Sequence, residues 1–381
     1  MRAVHAATGN RGLLREALPL LIVEHGYWTS PPRGMRVRAA DGGGGGGERR
    51  WHALSRYVAD WSQPRPESHA EDVALAEALL GPPPEPLEGA DGAATRRAAL
   101  FRDIASAAAS GWDFSSRWCA DGASLGTIRT TGIAPADLNG FLHGLESDLS
   151  AFAAALGDAG AAAHFAAAAA ARRAAMEELM WDAAAGCWRD VLLAPCGGGG
   201  GGGGGGDGDG GGADFVAAGF VEGTFASGWV PLWCGVAGDA ARGAACAASL
   251  EASGLVGPGG VAASLATTGQ QWDAPNAWPP LQHMLIEGLG AHGGPAGAAL
   301  ARRLAGEWVR GCAAGHASSG HMHEKYDARG GRGAAGGGGE YAPQVGFGWS
   351  NGVALHLLAR YGDELAGDGD GGGGEGDGAP G

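Results

Sequence analysis

Hydrophobic residues recur every three or four positions along most of this chain, which is the spacing of one helix face. The first such pattern covers residues 11–28, where Leu14, Leu18 and Leu21 fall on one side. Comparable patterns predict further helices at residues 68–80, 95–109, 137–156, 159–181, 227–236, 239–253, 280–291, 296–313 and 351–361. Strand–helix alternation is missing from the pattern, so about ten helices joined by loops indicate an all-α fold.

Capping residues mark where several of these helices begin and end. Ser68 and Glu71 have the spacing of a capping box, which predicts a helix start at Ser68. Asp137 is predicted to cap a later helix, and Gly111 to end the helix before it. Candidate chemistry recurs beside such boundaries. In a ring of antiparallel helix pairs, these junctions gather at one face around a central pocket.

Two stretches predict short strands instead of helices. A polar, hairpin-like segment follows residue 28, is interrupted by a glycine run and resumes at Trp51. Residues 188–192 and 214–216 are predicted to pair across a second glycine run. Both predicted pairings therefore lie beside a glycine insertion.

Glycine is concentrated in runs, which account for much of its total of 76 residues among 381. Polyglycine buries no apolar surface, so the runs at residues 42–47 and 197–212 are predicted to be flexible insertions. Residues 364–381 are rich in glycine and acidic side chains and are predicted to form a disordered tail. The remaining residues, 1–363, are predicted to form one domain.

Charge and cysteine content exclude several classes of function. The net charge is −15, and no cluster of lysine or arginine suggests a nucleic-acid surface. The six cysteines lack a CxxC pair, which favours isolated buried thiols. No run of eighteen apolar residues predicts a membrane segment, and the first residues do not resemble a signal peptide. The sequence indicates neither a compartment nor an oligomeric state.

Residues 269–280, with the sequence GQQWDAPNAWPP, combine tryptophans, side-chain amides, a carboxylate and prolines. Tryptophan faces and fixed amides suit a ligand with apolar C–H faces and hydroxyl edges, as in a sugar ring. The prolines predict a stiff loop. A tryptophan-rich turn packed in a core would have the same composition, so this stretch alone does not decide between the two.

Two carboxylates stand out by their neighbours. Asp113 lies between Trp112 and Phe114, whose rings are expected to desolvate it and raise its pKa toward that of a general acid. Glu324 precedes Lys325, a cation expected to keep it ionised as a base. Glycoside hydrolysis needs such a pair, one protonated and one not. Most single carboxylates are solvated surface charges, and spacing alone does not prove that these two pair.

Other catalytic centres are poorly supported. His316, His321, His323 and Glu324 do not form an HExxH motif, and no second ligand cluster follows, so no metal is expected. The glycines at residues 336–339 are not followed by the GK[ST] of a phosphate-binding loop. Ser115 and Ser116 lack the G-x-S-x-G frame of a serine hydrolase.

Several motifs together resemble those of the α,α-trehalases of glycoside hydrolase family 37. The tryptophan–proline stretch GQQWDAPNAWPP carries the resemblance most clearly. The others occur in family order at 64–68 (PRPES), 110–118 (SGWDFSSRW), 137–139 (DLN), 230–233 (VPLW), 324–326 (EKY), 336–341 (GGGGEY) and 346–353 (GFGWSNGV). Together they span roughly residues 13–361 and are highly specific.

The resemblance implies an (α/α)6 toroid that hydrolyses trehalose to two glucose molecules with inversion and without a cofactor. Asp113 matches the general acid and Glu324 the general base. Glu340 matches a residue of a lid loop over the substrate. Carboxyl groups of an inverting pair are expected to stand ~6.5–9.5 Å apart, which leaves room for a water molecule.

The resemblance also implies a set of sugar-binding residues. Arg65, Glu67 and Gly111 match positions that contact the substrate. Trp272 and Trp278 are expected to form walls of the pocket.

One part of the family pattern is missing from this sequence. The PGGRFxExYxWD signature, the asparagine segment after it and an Arg-Ser-Gln-Pro-Pro motif do not occur upstream of residue 13. The toroid is therefore expected to be incomplete at its N-terminus, with an open and wetter pocket. Two alternatives to an active trehalase stay open. The chain is a weak or inactive trehalase-derived fragment that binds sugar, or a toroid that acts on another glucoside.

Overall fold

The computed structural model describes residues 1–40, 50–82, 91–196, 214–339 and 341–367. Both predicted glycine insertions lie outside these residues, as do Glu340 and residues 368–381 of the predicted tail. The described residues contain eleven α-helices: α1 (Arg2–Thr8), α2 (Arg11–Thr29), α3 (His69–Leu80), α4 (Asp91–Ser110), α5 (Ala136–Leu156), α6 (Ala159–Leu179), α7 (Val230–Trp233), α8 (Ala240–Ala252), α9 (Pro279–His292), α10 (Gly294–Ser319) and α11 (Gly348–Gly367).

Helical hairpins dominate the packing, which confirms the predicted all-α class. Helices α5 and α6 are joined by only two residues. Gly157 adopts a left-handed φ of 91° at the end of α5, and the side chain of Asp158 accepts a hydrogen bond from the backbone N–H of Ala161. Helices α9 and α10 are separated by Gly293 alone. Such short links place consecutive helices side by side and antiparallel.

The hairpin of α5 and α6 contains a buried ionic contact as well as apolar packing. Arg172 on α6 donates to both oxygens of Glu146 on α5, at 2.8 to 3.1 Å. His25 of α2 lies 3.1 Å from the same carboxylate. These bonds lower the pKa of Glu146 although burial alone would raise it. The network therefore fixes α2 against the hairpin.

Eleven short strands accompany the helices in the described residues: β1 (Gly34–Ala39), β2 (His52–Ser55), β3 (Ile133–Ala134), β4 (Trp181–Asp182), β5 (Cys187–Trp188), β6 (Val191–Pro195), β7 (Asp214–Phe220), β8 (Val256–Gly257), β9 (Gly260–Val261), β10 (Asn276–Ala277) and β11 (Tyr326–Asp327). Five of them form one sheet in the order β2-β1-β7-β6-β3. The antiparallel pair β1/β2 confirms the predicted hairpin-like segment. Strands also pair across the second glycine run, as β6/β7, but with other partners than predicted: Val191 lies opposite Phe220, and Trp188 belongs to β5 opposite Trp181. The parallel contact between β1 and β7 was not predicted.

One predicted helix cap is wrong, and the other occupies the predicted N-cap position without the capping hydrogen bond. Helix α3 begins at His69 as expected, but the Ser68 side chain makes no capping hydrogen bond, and its hydroxyl lies 2.9 Å from that of Tyr341. Asp137 lies in the first turn of α5, after the N-cap residue Pro135. Its carboxylate instead accepts two 2.7 Å hydrogen bonds from Arg117.

The last helix corrects the predicted start of the tail. Helix α11 runs to Gly367, so its final four residues belong to the segment predicted to be disordered from residue 364. No helix in the described part of the chain is long and apolar enough to cross a membrane.

Candidate active site

A cavity of about 410 Å³ lies where three loops meet: those that follow α4 and α10 and the one that precedes α9. Its volume is in the ~300–1,000 Å³ range of small-molecule sites. The cavity contains both predicted catalytic carboxylates, and its described lining residues are Gly111, Asp113, Gln271, Trp272, Trp278, Glu324, Tyr341, Ala342, Gln344 and Trp349.

The loop after α4 carries Asp113. Gly111 adopts a left-handed φ of 79°, which ends the helix and turns the chain toward the cavity. Trp112 and Phe114 are 6% and 2% exposed, whereas Asp113 between them is half-buried. The predicted aromatic flanks of the acid are therefore present. The buried neighbours anchor the loop so that the carboxylate stands at the cavity surface.

Asp273 joins this loop to the tryptophan–proline loop that precedes α9. It is completely buried, and its carboxylate accepts hydrogen bonds from the hydroxyls of Ser115, Ser116, Ser264 and Thr268 at 2.5 to 2.9 Å. The backbone N–H of Ser116 donates a fifth bond at 2.8 Å. A buried carboxylate with five donors is satisfied by its surroundings. Its role is therefore to hold the two loops together, and it does not line the cavity.

Three tryptophans, Trp112, Trp272 and Trp278, stack on one another, and we call them the tryptophan stack. Trp272 and Trp278 form a wall of the cavity. The Trp272 and Trp278 rings are nearly parallel, with centroids 4.2 Å apart, and Trp112 stacks on Trp272 at 5.0 Å. A cation contacts each outer ring: Arg117 lies 4.7 Å from Trp112, and the Lys325 ammonium 4.9 Å from Trp278. Cation–π contacts of this kind rigidify an aromatic wall.

Glu324 is carried by the loop that follows α10 and is half-buried. Its carboxylate accepts a 2.8 Å hydrogen bond from the backbone N–H of Gln344, and Trp349 donates to its backbone carbonyl at 3.2 Å. The next residue, Lys325, is only 1% exposed. Burial lowers the pKa of Lys325, and the negative charges of Glu324 and Asp113 oppose that shift. Both carboxylates therefore lie in the field of the same buried ammonium.

The glycines at residues 336–339 pack on the tryptophan–proline loop. Asn276 exchanges two hydrogen bonds with the backbone of Gly337, at 2.8 and 3.0 Å. Gly338 has a left-handed φ of 76°, and a Cβ added there would lie 2.6 Å from the carbonyl oxygen of Gly269. Its own carbonyl accepts a 3.0 Å bond from Lys325. Glycine is required here because the two backbones approach so closely.

Arg117 occupies the base of the site and is fully buried. Its guanidinium donates to both oxygens of Asp137 at the start of α5 and of Asp190 beside β6. Burial alone would lower the pKa of Arg117, but the two carboxylates outweigh this and raise it. This buried triad ties the loop that carries Asp113 to two further elements.

Two predicted sugar-binding residues do not line the cavity that contains Asp113 and Glu324. Arg65 is 5% exposed and makes a bidentate contact with Asp72, at 2.7 and 3.0 Å. Its guanidinium packs 4.8 Å from the ring of Phe114, the residue that follows Asp113. Arg65 and Glu67 line a separate cavity of about 250 Å³. Gly111, Trp272 and Trp278 line the same cavity as Asp113 and Glu324, whereas Arg65 and Glu67 line the separate one.

The family profile described as "Trehalase" matches residues 1–362. The chain belongs to the trehalase family. It is 37% identical over 366 residues to a probable trehalase of Oryza sativa subsp. japonica, and 35% identical over 362 residues to the trehalase of Homo sapiens. Each alignment covers 94% of this chain. The chain spans 60% and 54% of those two trehalases, a little more than half of their lengths.

A solved trehalase structure has the same fold. The chain resembles the neutral trehalase Nth1 from Saccharomyces cerevisiae with a TM-score of 0.61 and 20% identity, over 93% of this chain and 60% of that one. Together with the helical hairpins, this likeness confirms the predicted (α/α)6-toroid class.

Some residues that line this cavity are not marked by any sequence signal used above. Tyr341, Gln344 and Trp349 were not chosen as site residues, although all three lie in or beside recognised motifs. Of the paired glutamines in the tryptophan–proline loop, Gln271 lines the cavity and Gln270 does not. No group of three or more potential metal ligands occurs within the described ranges.

Proposed function

We propose that the chain hydrolyses α,α-trehalose to two glucose molecules with inversion, with Asp113 as general acid and Glu324 as general base. The observation that carries this proposal is one cavity of about 410 Å³ that contains both carboxylates beside Trp272 and Trp278. An aromatic wall binds the apolar face of a sugar, and half-buried carboxylates can exchange protons with it. Trehalase-family membership supports trehalose as the glucoside.

The proposed reaction is a single displacement. The protonated carboxyl of Asp113 gives its proton to the glycosidic oxygen as the C1–O bond breaks. A water molecule attacks C1 from the opposite face, and the carboxylate of Glu324 accepts a proton from that water. One water is consumed, two glucose molecules leave, and proton exchange with solvent restores both carboxyl groups.

Early products distinguish this mechanism from the alternatives. Inversion at one α-linked carbon gives one β-glucose, and the leaving sugar is released as α-glucose. Proton NMR of freshly mixed 381-residue chain and trehalose is expected to show the two anomers in equal amounts before they equilibrate. Release of α-glucose alone would indicate retention and contradict the mechanism. Faster cleavage of maltose or sucrose would contradict the proposed substrate.

A second candidate is sugar binding without turnover. None of the described residues that line the cavity of Asp113 and Glu324 is arginine or lysine. Arg65 does not line this cavity, and its guanidinium donates to Asp72. Charged donors hold the hydroxyl groups of a sugar in place, so a cavity lined by fewer of them orients the substrate less well for reaction. Trehalose binding detected by titration calorimetry, with no glucose released over hours, would select this second candidate.

A further inference from the structure

Gln271 lines the cavity that contains Asp113 and Glu324, and both ends of its side-chain amide are engaged. Its Nε2 donates to the backbone carbonyl of Asp113, and its Oε1 accepts a 3.2 Å hydrogen bond from the ammonium of Lys325. Asp113 is the predicted acid, and Lys325 directly follows the predicted base. One side chain therefore spans from the acid-bearing loop to the base-bearing loop.

The chemistry of its two partners fixes the orientation of this amide. A lysine ammonium has only donors, whereas a backbone carbonyl only accepts. A flipped amide would place NH₂ against Lys325 and oxygen against the carbonyl of Asp113, so both contacts would be lost. Glutamate cannot donate to Asp113, and methionine can make neither hydrogen bond. Glutamine is thus suited to this position by both hydrogen bonds at once.

The backbone around Gln271 is held as firmly as its side chain. Its carbonyl accepts bonds from the indole N–H of Trp278 at 2.8 Å and from the amide of Asn276 at 3.0 Å. A Cβ added to Gly339 would lie 2.8 Å from the Cβ of Gln271, so the glycine run covers the side chain closely. The next backbone N–H, of Trp272, donates to the carbonyl of Phe114 at 3.0 Å. A rigid anchor of this kind can transmit position from one loop to the other.

We propose that Gln271 is a positioning residue that sets the separation between the Asp113 and Glu324 carboxyl groups by bridging Asp113 and Lys325. This inference rests on the proposed function, because it assumes that those two carboxylates act as acid and base. A misplacement of about 1 Å costs on the order of 100-fold in rate, so loss of the bridge lowers turnover more than substrate affinity.

The test is a double-mutant cycle of Gln271→Met and Lys325→Met, both near in length to the residues they replace. Gln271→Met is expected to lower kcat for trehalose on the order of 100-fold and leave KM within about threefold. Its pH–rate profile is expected to keep the wild-type limbs, because no charge is removed. The double variant is expected to be no slower than the slower single variant, because both changes break one bridge.

Gln270→Met is the matched control. It lies in the same loop, its side chain makes no hydrogen bond to the described residues and it does not line the cavity. Wild-type kcat and KM are expected for it. A raised KM with unchanged kcat in Gln271→Met would show direct sugar binding instead and overturn the proposal. Losses that multiply in the double variant would overturn it as well.

The bridge can also be tested apart from the proposed function. If the wild-type chain releases no glucose from trehalose, the proposed function is wrong, and thermal unfolding of the same four proteins replaces kcat. A Tm decrease in the double variant no larger than the greater single decrease supports the bridge. Tm decreases that add together overturn it.

Discussion

Asp113 and Glu324 reach the cavity from loops that support them differently. Asp113 is fixed through its backbone, between two buried aromatic residues and beneath the amide of Gln271. The carboxylate of Glu324 is itself a hydrogen-bond acceptor, from the backbone of Gln344 at 2.8 Å. Neither carboxylate is part of the buried core. Substitution of either one is therefore expected to change chemistry without unfolding the chain.

Asp113→Asn and Glu324→Gln are each expected to reduce kcat for trehalose by ~10²–10⁴-fold, because each removes one proton transfer. Steady-state kinetics and thermal unfolding of the same samples check the effect. Glu71→Gln, an exposed position on α3, is the control and is expected to leave both measurements unchanged. Near-native turnover in either site variant would mean that the residue is wrongly assigned.

Sequence reasoning at this scale succeeded where the signal was local. Asp113 was found from its aromatic neighbours, and these are buried beside it as expected. The position of Arg65 was not predictable in the same way. Its partner Asp72 is only seven residues away, but their contact depends on how the 3-10 turn at Pro66–Ser68 leads into α3. Short polar motifs specify partners only once the backbone between them is known.

At the scale of elements, the glycine run at residues 336–339 offers neighbouring positions with opposite requirements. A Cβ at Gly336 would lie 2.6 Å from the amide oxygen of Asn276, and Gly338 has both a positive φ and a contact of 2.6 Å. A Cβ at Gly337 meets nothing within 4 Å. The run is therefore closely fitted at Gly336, Gly338 and Gly339 and open at Gly337.

Gly336→Ala and Gly338→Ala are each expected to lower the free energy of unfolding by about 1–3 kcal/mol, and Gly337→Ala by less than about 0.5 kcal/mol. Urea unfolding measures these differences. The first two are also expected to slow trehalose turnover, because the run packs on the loop that carries Gln271. Equal effects at all three positions would show that the docking of this run is not required.

Histidine burial in the α5/α6 hairpin predicts a pH dependence of stability. Burial lowers the pKa of His143, whose Nδ1 lies 3.1 Å from the carbonyl oxygen of Ala169. The unfolded chain therefore binds a proton near pH 6.5, before the folded chain does, and stability falls as the pH decreases from about 6.5 toward the folded pKa.

His143→Asn keeps a donor near the same carbonyl but cannot titrate. Thermal unfolding at pH 7.5 and pH 5.5 is expected to show a smaller loss of Tm for this variant than for the wild type. His164→Asn, at an exposed position on α6, provides the comparison and is expected to behave like the wild type. An undiminished loss in His143→Asn would assign the pH dependence to other groups.

Element prediction from sequence was accurate for periodic helices and weaker for their ends and for distant strand pairs. Helix α6 begins at the predicted residue 159, because a long alanine-rich run of high helix propensity starts there, directly after the N-cap residue Asp158. Ser68 is the N-cap residue of α3, but its hydroxyl lies beside that of Tyr341 and makes no capping bond. Asp137 is not a cap, since Arg117 engages its carboxylate. The parallel pair of β1 and β7 joins Val37 to Phe215, a separation that no local pattern reports.

At the scale of the whole molecule, Arg117 connects regions that are far apart in sequence. It joins the loop that carries Asp113 to Asp137 on α5 and to Asp190 beside the five-stranded sheet. All three side chains are at least 95% buried. Removing one partner of such a group leaves uncompensated buried charge, which costs more than the group contributes when complete.

Arg117→Met is expected to lower the free energy of unfolding by about 3–5 kcal/mol. Denaturant titration followed by circular dichroism measures the change. Arg2→Met, which breaks an exposed ion pair with Asp148, is expected to cost at most about 1 kcal/mol. If both variants lost the same small amount, the buried triad would not be a main connection of the fold.

The fold class was predictable from sequence at this scale, because helix periodicity and the family motifs agree. The buried triad was not, since no spacing rule links residues 117, 137 and 190. In the sequence, Arg117 and Asp137 belong to two separate motifs, and Asp190 follows a tryptophan–arginine pair.

The tryptophan stack contributes to the circular dichroism of the protein. Indole rings held 4.2 Å apart and nearly parallel couple their electronic transitions, and that coupling depends steeply on the geometry between them. Near-ultraviolet circular dichroism therefore includes a contribution from the wall beside Asp113 and Glu324, together with those of the other tryptophans among the thirteen, separately from the helical signal at shorter wavelengths. Local loosening of the pocket can be followed in the unlabelled protein, even while the toroid around it stays folded.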